Sequence, residues 1–325
     1  VDWRQFIRSY FDSVQKAWLD GEYQHLLPYY SDHGQGTKNE WERMRREHVQ
    51  LVGRGGQTQS VQGRLVPLCW METEQSMDIL LSWSGKRHYG MGEHSLSEAS
   101  RFVHRIRLQK EAASWRIDSH TEWDGDAKVP FDALQGEEEA EGATSMVEDA
   151  VSQPLLVVHG AGGYNPWNAV AYAERYWNSP NPAYPHFTDD CTNFISQCLY
   201  AGGIPMLFSK EKGRGWWIRT GKGGEWSYSW SVAHALYLML KSGAAPMRAV
   251  TKSSPDQLEP GDIICYDFDG DGRFQHNTIV VAKDANNMPL VNAHTTDSSM
   301  RYWAYEDSTA YTPNMRYAFF HIRGV

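Results

Sequence analysis

The sequence predicts an α+β protein built from two successive units, and three observations carry that prediction. Helical periodicity gives way to two-residue alternation early in the chain, and the same order recurs after residue 165. Between the two lies "LQGEEEAEGATSMVEDAVSQP", acidic and free of aromatic residues, in which like charges keep a chain extended. The expected division is an accessory N-terminal domain over residues 1–126, an acidic linker over 127–153 and a second domain over 154–325.

The opening "VDWRQFIRSYFDSVQKAWL" sets Trp3, Phe6, Ile7, Tyr10, Phe11, Val14 and Trp18 on one helical stripe. A second helix is expected over about 39–51. Its basic stretch "ERMRREH" reads as a solvated face. Four alternating segments follow, "RLVPLCWMETE", "SMDILLSWS", "SRFVHRIRLQKE" and "ASWRIDSHTEW", with a turn expected at Ser84-Gly85. The second unit opens with a helix starting at Asn165-Pro166 and facing Ala169, Val170 and Ala173 inward. "YPHFTDDCTNFISQCLYAGG" and "SWSVAHALYLMLKSG" give two more helices. The period then shifts to strands in "LEPGDIICYDF", "HNTIVVAKD", "PLVNAHTT" and "RYAFFHIR", with a hairpin turning at 285–288.

The totals exclude some functions. A length of 325 residues suits about two domains, and 41% hydrophobic with 22% charged residues is ordinary for a globular chain. A net charge of −9 argues against a nucleic-acid binder that relies on broad phosphate attraction. No apolar run approaches the length of about 18 residues that spans a membrane. The opening "VDWRQF" shows no signal-peptide pattern and gives no address. The four cysteines, Cys69, Cys191, Cys198 and Cys265, form no C-x-x-C pair, so no cysteine zinc site is expected and no cofactor is called for.

The chemistry concentrates on "DDCTNFISQCLYAGG". The spacing of Phe194, Ile195, Cys198 and Leu199 puts Cys191 in the first turn of a buried helix, with Asp189 or Asp190 as its cap. A thiol there meets the positive end of the helix dipole, which favours the thiolate; the alternative is an inert structural cysteine. A cysteine nucleophile needs a base, and the base needs an orienting group. His276 opens an apolar strand and is the candidate base, against the alternative of a satisfied histidine at a strand start. The hairpin returns Asn292 and His294 toward it, two apart and on one face, and the residues alone do not choose between them. In "DFDGDG", Asp267, Asp269, Asp271 and Gly272 match positions one, three, five and six of a calcium loop. The twelfth position is Thr278 and no helix follows, so an Asp-Gly turn is the reading adopted. Trp216 and Trp217, in "GRGWWIRTGKGGEWSYSW", either line a groove beside the site or pack as a satellite core.

The segments "YNPWNAVAYAERYWNSPNPAYPHFTDDCTNFISQCLYAGGIPM", "LEPGDIICYDFDGDGRFQHNTIVVAKD" and "VNAHTTD" resemble the bacterial putative amidase domain family. That family is similar to the papain-like peptidases, and within them to the NlpC-type and CHAP-type cell-wall hydrolases. The resemblance covers about 155–323 and implies a papain-like cysteine hydrolase domain, with helices packed on an antiparallel sheet. It implies Cys191 as nucleophile and His276 as base, with Asn292 or His294 third. The backbone N–H of Cys191 would then face an oxyanion. A second donor is sought in Tyr184 or Asn193, Tyr184 being equally a packing residue, and Asp190 is grouped with these substrate-binding or oxyanion candidates. The activity implied is that of a cysteine amidase or peptidase acting on peptidoglycan peptides or another short peptide, in a secreted or cell-surface setting. A non-catalytic module holding a wall fragment, and an acyltransferase using the same pair, are the competing expectations. The first unit resembles the cone-shaped, cystatin-like α+β domains, which suggests a targeting, partner-binding or substrate-presenting role.

Overall fold

A computed structural model of the chain describes residues 2–35, 37–111, 114–124, 163–221, 224–295 and 297–324. The linker expected over 127–153 lies outside the described residues.

The N-terminal half runs α1 (Trp3–Asp20), a 3-10 turn (Tyr23–Tyr29), β1 (Tyr30–Gln35), α2 (Thr37–Gly53), β2 (Gly56–Glu72), β3 (Ser76–Met91), β4 (His94–Glu111) and β5 (Ser114–Trp123). Asp2 caps α1 by accepting the Arg4 N–H, and Gly21 ends it at φ +74, its N–H returning to the Ala17 carbonyl. The predicted stripe is buried: Trp3, Phe6, Ile7, Tyr10 and Phe11 form one core with Ile79, Phe102 and Ile106 of the sheet. Strand β1, which pairs parallel to β5, was not legible in the sequence.

The turn expected at Ser84-Gly85 does not form. Strand β3 runs straight through it, with Gly85 paired to Gly63 of β2. A Cβ at either glycine would drive into the Trp83 indole, at 2.2 Å for Gly63 and 2.4 Å for Gly85. The glycines are a notch that lets this tryptophan lie against the sheet, so a packing requirement imitated a turn signal. The chain reverses instead at Gly92, φ +58.

The C-terminal half carries α3 (Pro166–Tyr176), α4 (Cys191–Ala201), β6 (Ile218–Arg219), β7 (Glu225–Trp226), α5 (Tyr228–Ser231) and α6 (Ala233–Ser242). It continues with β8 (Val250–Lys252), β9 (Ile263–Asp267), β10 (His276–Lys283), β11 (Pro289–Ala293), β12 (Ser298–Tyr302) and β13 (Arg316–His321). Asn165 caps α3, accepting from the Trp167 and Asn168 N–H groups. The third expected helix is broken: Val232 is extended, at φ −118 and ψ 123, and separates α5 from α6. The sheet order is β12-β11-β10-β9-β13-β8, every neighbouring pair antiparallel. Its two faces carry separate cores. Ile263, Cys265, Ile279 and Val281 pack against α3, α4 and α6, while Ile264, Tyr266, Val280 and Tyr305 pack on the other side.

The halves meet in one sheet, eleven strands among the described residues. Strand β4 makes the join, pairing with β5 along its later part and with Ser299 of β12 at Ala99. Arg301 of β12 is buried and donates to Asp124 at 3.0 Å, and Arg54 reaches Asp284 at 3.0 Å. The α+β class holds for both halves, but they share a sheet rather than standing apart. Among the described residues no helix is long and apolar enough to cross a membrane.

Candidate active site

Cys191 is the first residue of α4 and 5% exposed. The helix forms because Phe194, Ile195, Cys198 and Leu199 bury one face in the core, leaving the start of the helix at the end of the sheet. Asp190 occupies the cap position, yet its side chain makes no capping bond to the backbone of the helix. Its carboxylate instead accepts the Phe187 N–H at 3.0 Å, the Asn193 side-chain amide at 2.8 Å and His294 Nδ1 at 2.9 Å. The expected cap is therefore a clamp that fixes the approach to the helix.

The backbone of that turn does something else. The N–H groups of Asp190 and Cys191 both donate to the Thr295 hydroxyl, at 2.9 and 3.1 Å. Thr295 has φ +76, an uncommon conformation for a β-branched residue and a mark of local strain. Two converging N–H donors beside the sulfur thus hold an oxygen atom. The N–H that joins Cys191 here belongs to Asp190, which the sequence reading grouped with the oxyanion candidates. Tyr184 stacks on Trp230 at 6.2 Å, and burial pushes its phenol up to about 12. Asn193 is fully buried, donating to the Pro185 carbonyl and accepting from Trp230 Nε1 at 2.8 Å. Both side chains serve packing.

Cys191, His276 and Thr295 line one cavity of about 550 Å³, together with Asp189, Thr192, His234, Phe268 and Phe274. Strand alternation decides how His276 enters it. Asn277 shares the face of Ile279 and Val281 and turns toward α4, donating to Thr192 Oγ1 at 3.0 Å. His276, one residue earlier, turns to the opposite face, where its Nε2 lies 3.4 Å from the Tyr305 hydroxyl and its ring packs near Tyr266 and Phe268. Cys191 and His276 line the same cavity, although the alternation of β10 puts His276 on the face away from α4.

The candidates for an orienting group are held elsewhere. Asn292 pairs with Ile279 in the register, donates to Glu174 at 2.8 Å and accepts the Met300 N–H at 2.9 Å. His294 lies flat on Phe194, ring centroids 4.0 Å apart, with Nδ1 on Asp190 and Nε2 on the Tyr176 carbonyl. Both its nitrogens are engaged at the helix start, while His276 Nε2 lies beside the Tyr305 hydroxyl.

The remaining predicted residues also find places. Trp216 and Trp217 are 0% and 2% exposed, so the groove expectation gives way to the core one. Trp216 donates to Ser196 and packs on Trp230 at 4.8 Å. In "DFDGDG" the two oxygens of Asp267 accept the Gly270 and Gly272 N–H groups, both at 2.8 Å, and Asp271 accepts the Arg273 N–H. Those bonds make an Asp-Gly turn that leads into His276. Among the cavity residues that escaped the sequence reading is His234, half-buried, whose Nδ1 accepts the Phe274 N–H at 3.2 Å. The break at Val232 places it there, and an unbroken helical period concealed that break.

Residues 163–320 match the family described as "Putative amidase domain". Two curated Bacillus subtilis (strain 168) proteins are similar to this region. The uncharacterized protein YhbB is 62% identical over 159 residues, 49% of this chain and 50% of that protein. The uncharacterized protein YjcM is 30% identical over 154 residues, 45% of this chain and 34% of that protein. The matches thus span half or less of these relatives' lengths. Among solved structures, the intermembrane space region of the chloroplast protein ARC6 gives a TM-score of 0.24 at 10% identity, covering 37% of this chain and 95% of that one. Bdellovibrio bacteriovorus Bd1075 gives 0.22 at 13%, covering 36% of this chain and 40% of that one. Scores this low carry no argument about the fold.

Proposed function

Because residues 163–320 match the family described as a putative amidase domain, we propose that this chain is a cysteine amidohydrolase of papain-like layout, with Cys191 as nucleophile and His276 as base. The observation that carries the reading is the shared cavity: Cys191 and His276 line it, and beside the sulfur the Asp190 and Cys191 N–H groups converge on one oxygen.

In this mechanism the substrate carbonyl oxygen replaces the Thr295 hydroxyl between the two N–H groups. The Cys191 sulfur bonds to the carbonyl carbon, the C–N bond breaks, and His276 gives its proton to the leaving amine. Water then attacks the thioester with His276 as base, releasing a carboxylic acid and restoring the thiol. Movement of the strained Thr295 is part of substrate entry, and Tyr305 positions the His276 ring. The proposed substrate is a short peptide, peptidoglycan peptides included, and the proposed setting is secreted or at the cell surface. His234 is the rival base, since it lines the same cavity.

Alkylation with iodoacetamide, mapped by mass spectrometry, tests this. Cys69 is exposed and serves as the reference thiol; Cys198 and Cys265 are buried, and burial pushes both thiols well up. Cys191 is expected to label faster than Cys69, and His276→Ala to slow that labelling by about tenfold or more. His234→Ala is expected to leave it within about twofold; the reverse pattern transfers the base to His234. A Cys191 as inert as Cys198 and Cys265 removes the nucleophile and the reading with it.

A further inference from the structure

The largest cavity among those described lies away from Cys191, at the seam between the halves. It measures about 690 Å³, within the range of ligand sites. Its floor is the outer face of the N-terminal sheet, and the register dictates its character. Arg64 of β2, Ser84 of β3 and Arg101 of β4 stand side by side in one row. The two arginines are therefore two strand spacings apart, about 9.6 Å, with only a serine hydroxyl between them. One row along, Lys86 occupies the middle strand, between Gln62 and Ala99. Ser82 and Ser84 leave the middle strand low between Arg64 and Arg101, and Lys86 closes the row beyond them, which makes a trough.

The C-terminal half closes one end with Trp177, Asn178 and Asp297. Arg101 donates to Ser82 at 3.1 Å and approaches Asp297 only to 3.9 Å. Among the described residues no carboxylate pairs with Arg64 or Lys86. Three cations thus face one carboxylate, on a chain whose net charge is −9. The site runs against the charge of the molecule, and its guanidinium forks fit carboxylates. Nucleic acid fits less well, because three cations on an acidic chain cannot supply the many phosphate contacts such binding needs. The trough also shares a turn with the candidate active site: Asp297 lines one cavity and Thr295 the other.

We infer that this trough binds the carboxylate-bearing part of a short acidic peptide, the same peptide whose amide reaches Cys191. The second clause rests on the amidohydrolase reading; the binding itself does not.

The test is fluorescence anisotropy with fluorescein-labelled hexa-L-glutamate on the full chain carrying Cys191→Ala, so that no turnover intervenes. Binding is expected, weakening as sodium chloride rises from about 50 to 300 mM. The further double change Arg64→Gln/Arg101→Gln should weaken it at least tenfold, and Arg64→Glu alone should do the same. Labelled hexaglutamine should not bind. No binding of the acidic peptide, or binding untouched by these arginine changes, overturns the inference. So does equal or tighter binding of a labelled six-nucleotide thymidine strand, which would make the trough a phosphate site. None of these outcomes depends on whether Cys191 is a nucleophile.

Discussion

The two halves of the molecule both bury histidines, and they treat them in opposite ways. In the N-terminal half, His104 Nδ1 meets His120 Nε2 at 3.0 Å, His120 Nδ1 meets the Tyr10 hydroxyl at 3.1 Å, and Tyr10 meets Tyr30 at 2.8 Å. The chain of contacts is enclosed by Phe11 and Phe102, beside a cavity of about 20 Å³, room for no more than one water. In the C-terminal half, His276 and His234 border a cavity more than twenty times larger, with a thiol on its wall. Burial and hydrogen bonding among histidines do not make a site. Space for a substrate and a nucleophile beside it do.

The contrast breaks most sharply at Asp190, the buried carboxylate that ties His294 and Asn193 to the start of α4. Asp190→Ala leaves the backbone donors in sequence but releases what aims them. Hydrolysis and Cys191 alkylation should both fall on the order of 10²-fold, as expected for misplacement of about an ångström. Stability should fall by about 3–5 kcal/mol, the usual effect of removing one partner from a buried pair. Asp190→Asn should recover more of the stability than of the rate. Rates within about twofold of the parent in Asp190→Ala would deny the clamp any role in positioning the sulfur.

How far the sequence was legible follows from which signals are local. The helix start at Cys191, the strand start at His276 and the hairpin at 285–288 rest on periodicity and turn chemistry within a few residues, and the structure has all three. What failed depended on partners distant in sequence. Gly85 read as a turn because nothing nearby reveals that Trp83 needs its missing Cβ. Asp190 read as a cap because His294, more than a hundred residues on, is invisible from the first turn. Trp216 and Trp217 could line a groove until Ser196 and Trp230 were seen to enclose the first of them. A strand start at His276 does not say which face it takes; only the packing of Ile279 and Val281 fixes the parity that turns it toward Tyr305. The shared sheet depends on one pairing, Ser299 with Ala99, for which no local pattern exists.

A smaller effect should come from the seam, where the N-terminal half again closes its polar groups on one another. Arg87 pairs with Glu47 at 2.7 Å and Glu98 at 2.8 Å, and Arg43 with Glu122 at 2.8 Å. Burial is the main cause that lifts the Glu47 carboxyl to about 7; nearby Asp307 and Glu98 add to it, against the pull of Arg87 and Arg43. A carboxyl raised in the folded state contributes stability that is complete below its unfolded value of about 4.5 and is lost as pH rises through about 7. The whole contribution is on the order of 3 kcal/mol. Urea midpoints followed by tryptophan fluorescence should therefore decline between pH 5 and 8. Glu47→Gln, neutral throughout, should flatten that decline, and an unchanged slope would place the titrating group elsewhere.

The smallest effect, and the one that sharpens the comparison most, belongs to His104. Burial first, then its neighbours His120 and Arg43, hold its imidazole well below the ordinary histidine value of 6.5. A ring kept neutral by the fold contributes stability that is present above pH 6.5 and is lost as acid charges it, the opposite sign to Glu47. His104→Phe removes the titrating ring from a site already walled by Phe11 and Phe102, with a small cavity to receive the larger side chain. Its loss of stability below pH 6.5 should be shallower than the parent's, while its amide hydrolysis and Cys191 alkylation stay within about twofold. His276→Ala should show the reverse in rate, a large loss. If His104→Phe instead lowers the rate as His276→Ala does, the N-terminal histidines are coupled to the cavity through the shared sheet, and the division between an enclosed histidine chain and an open one no longer holds.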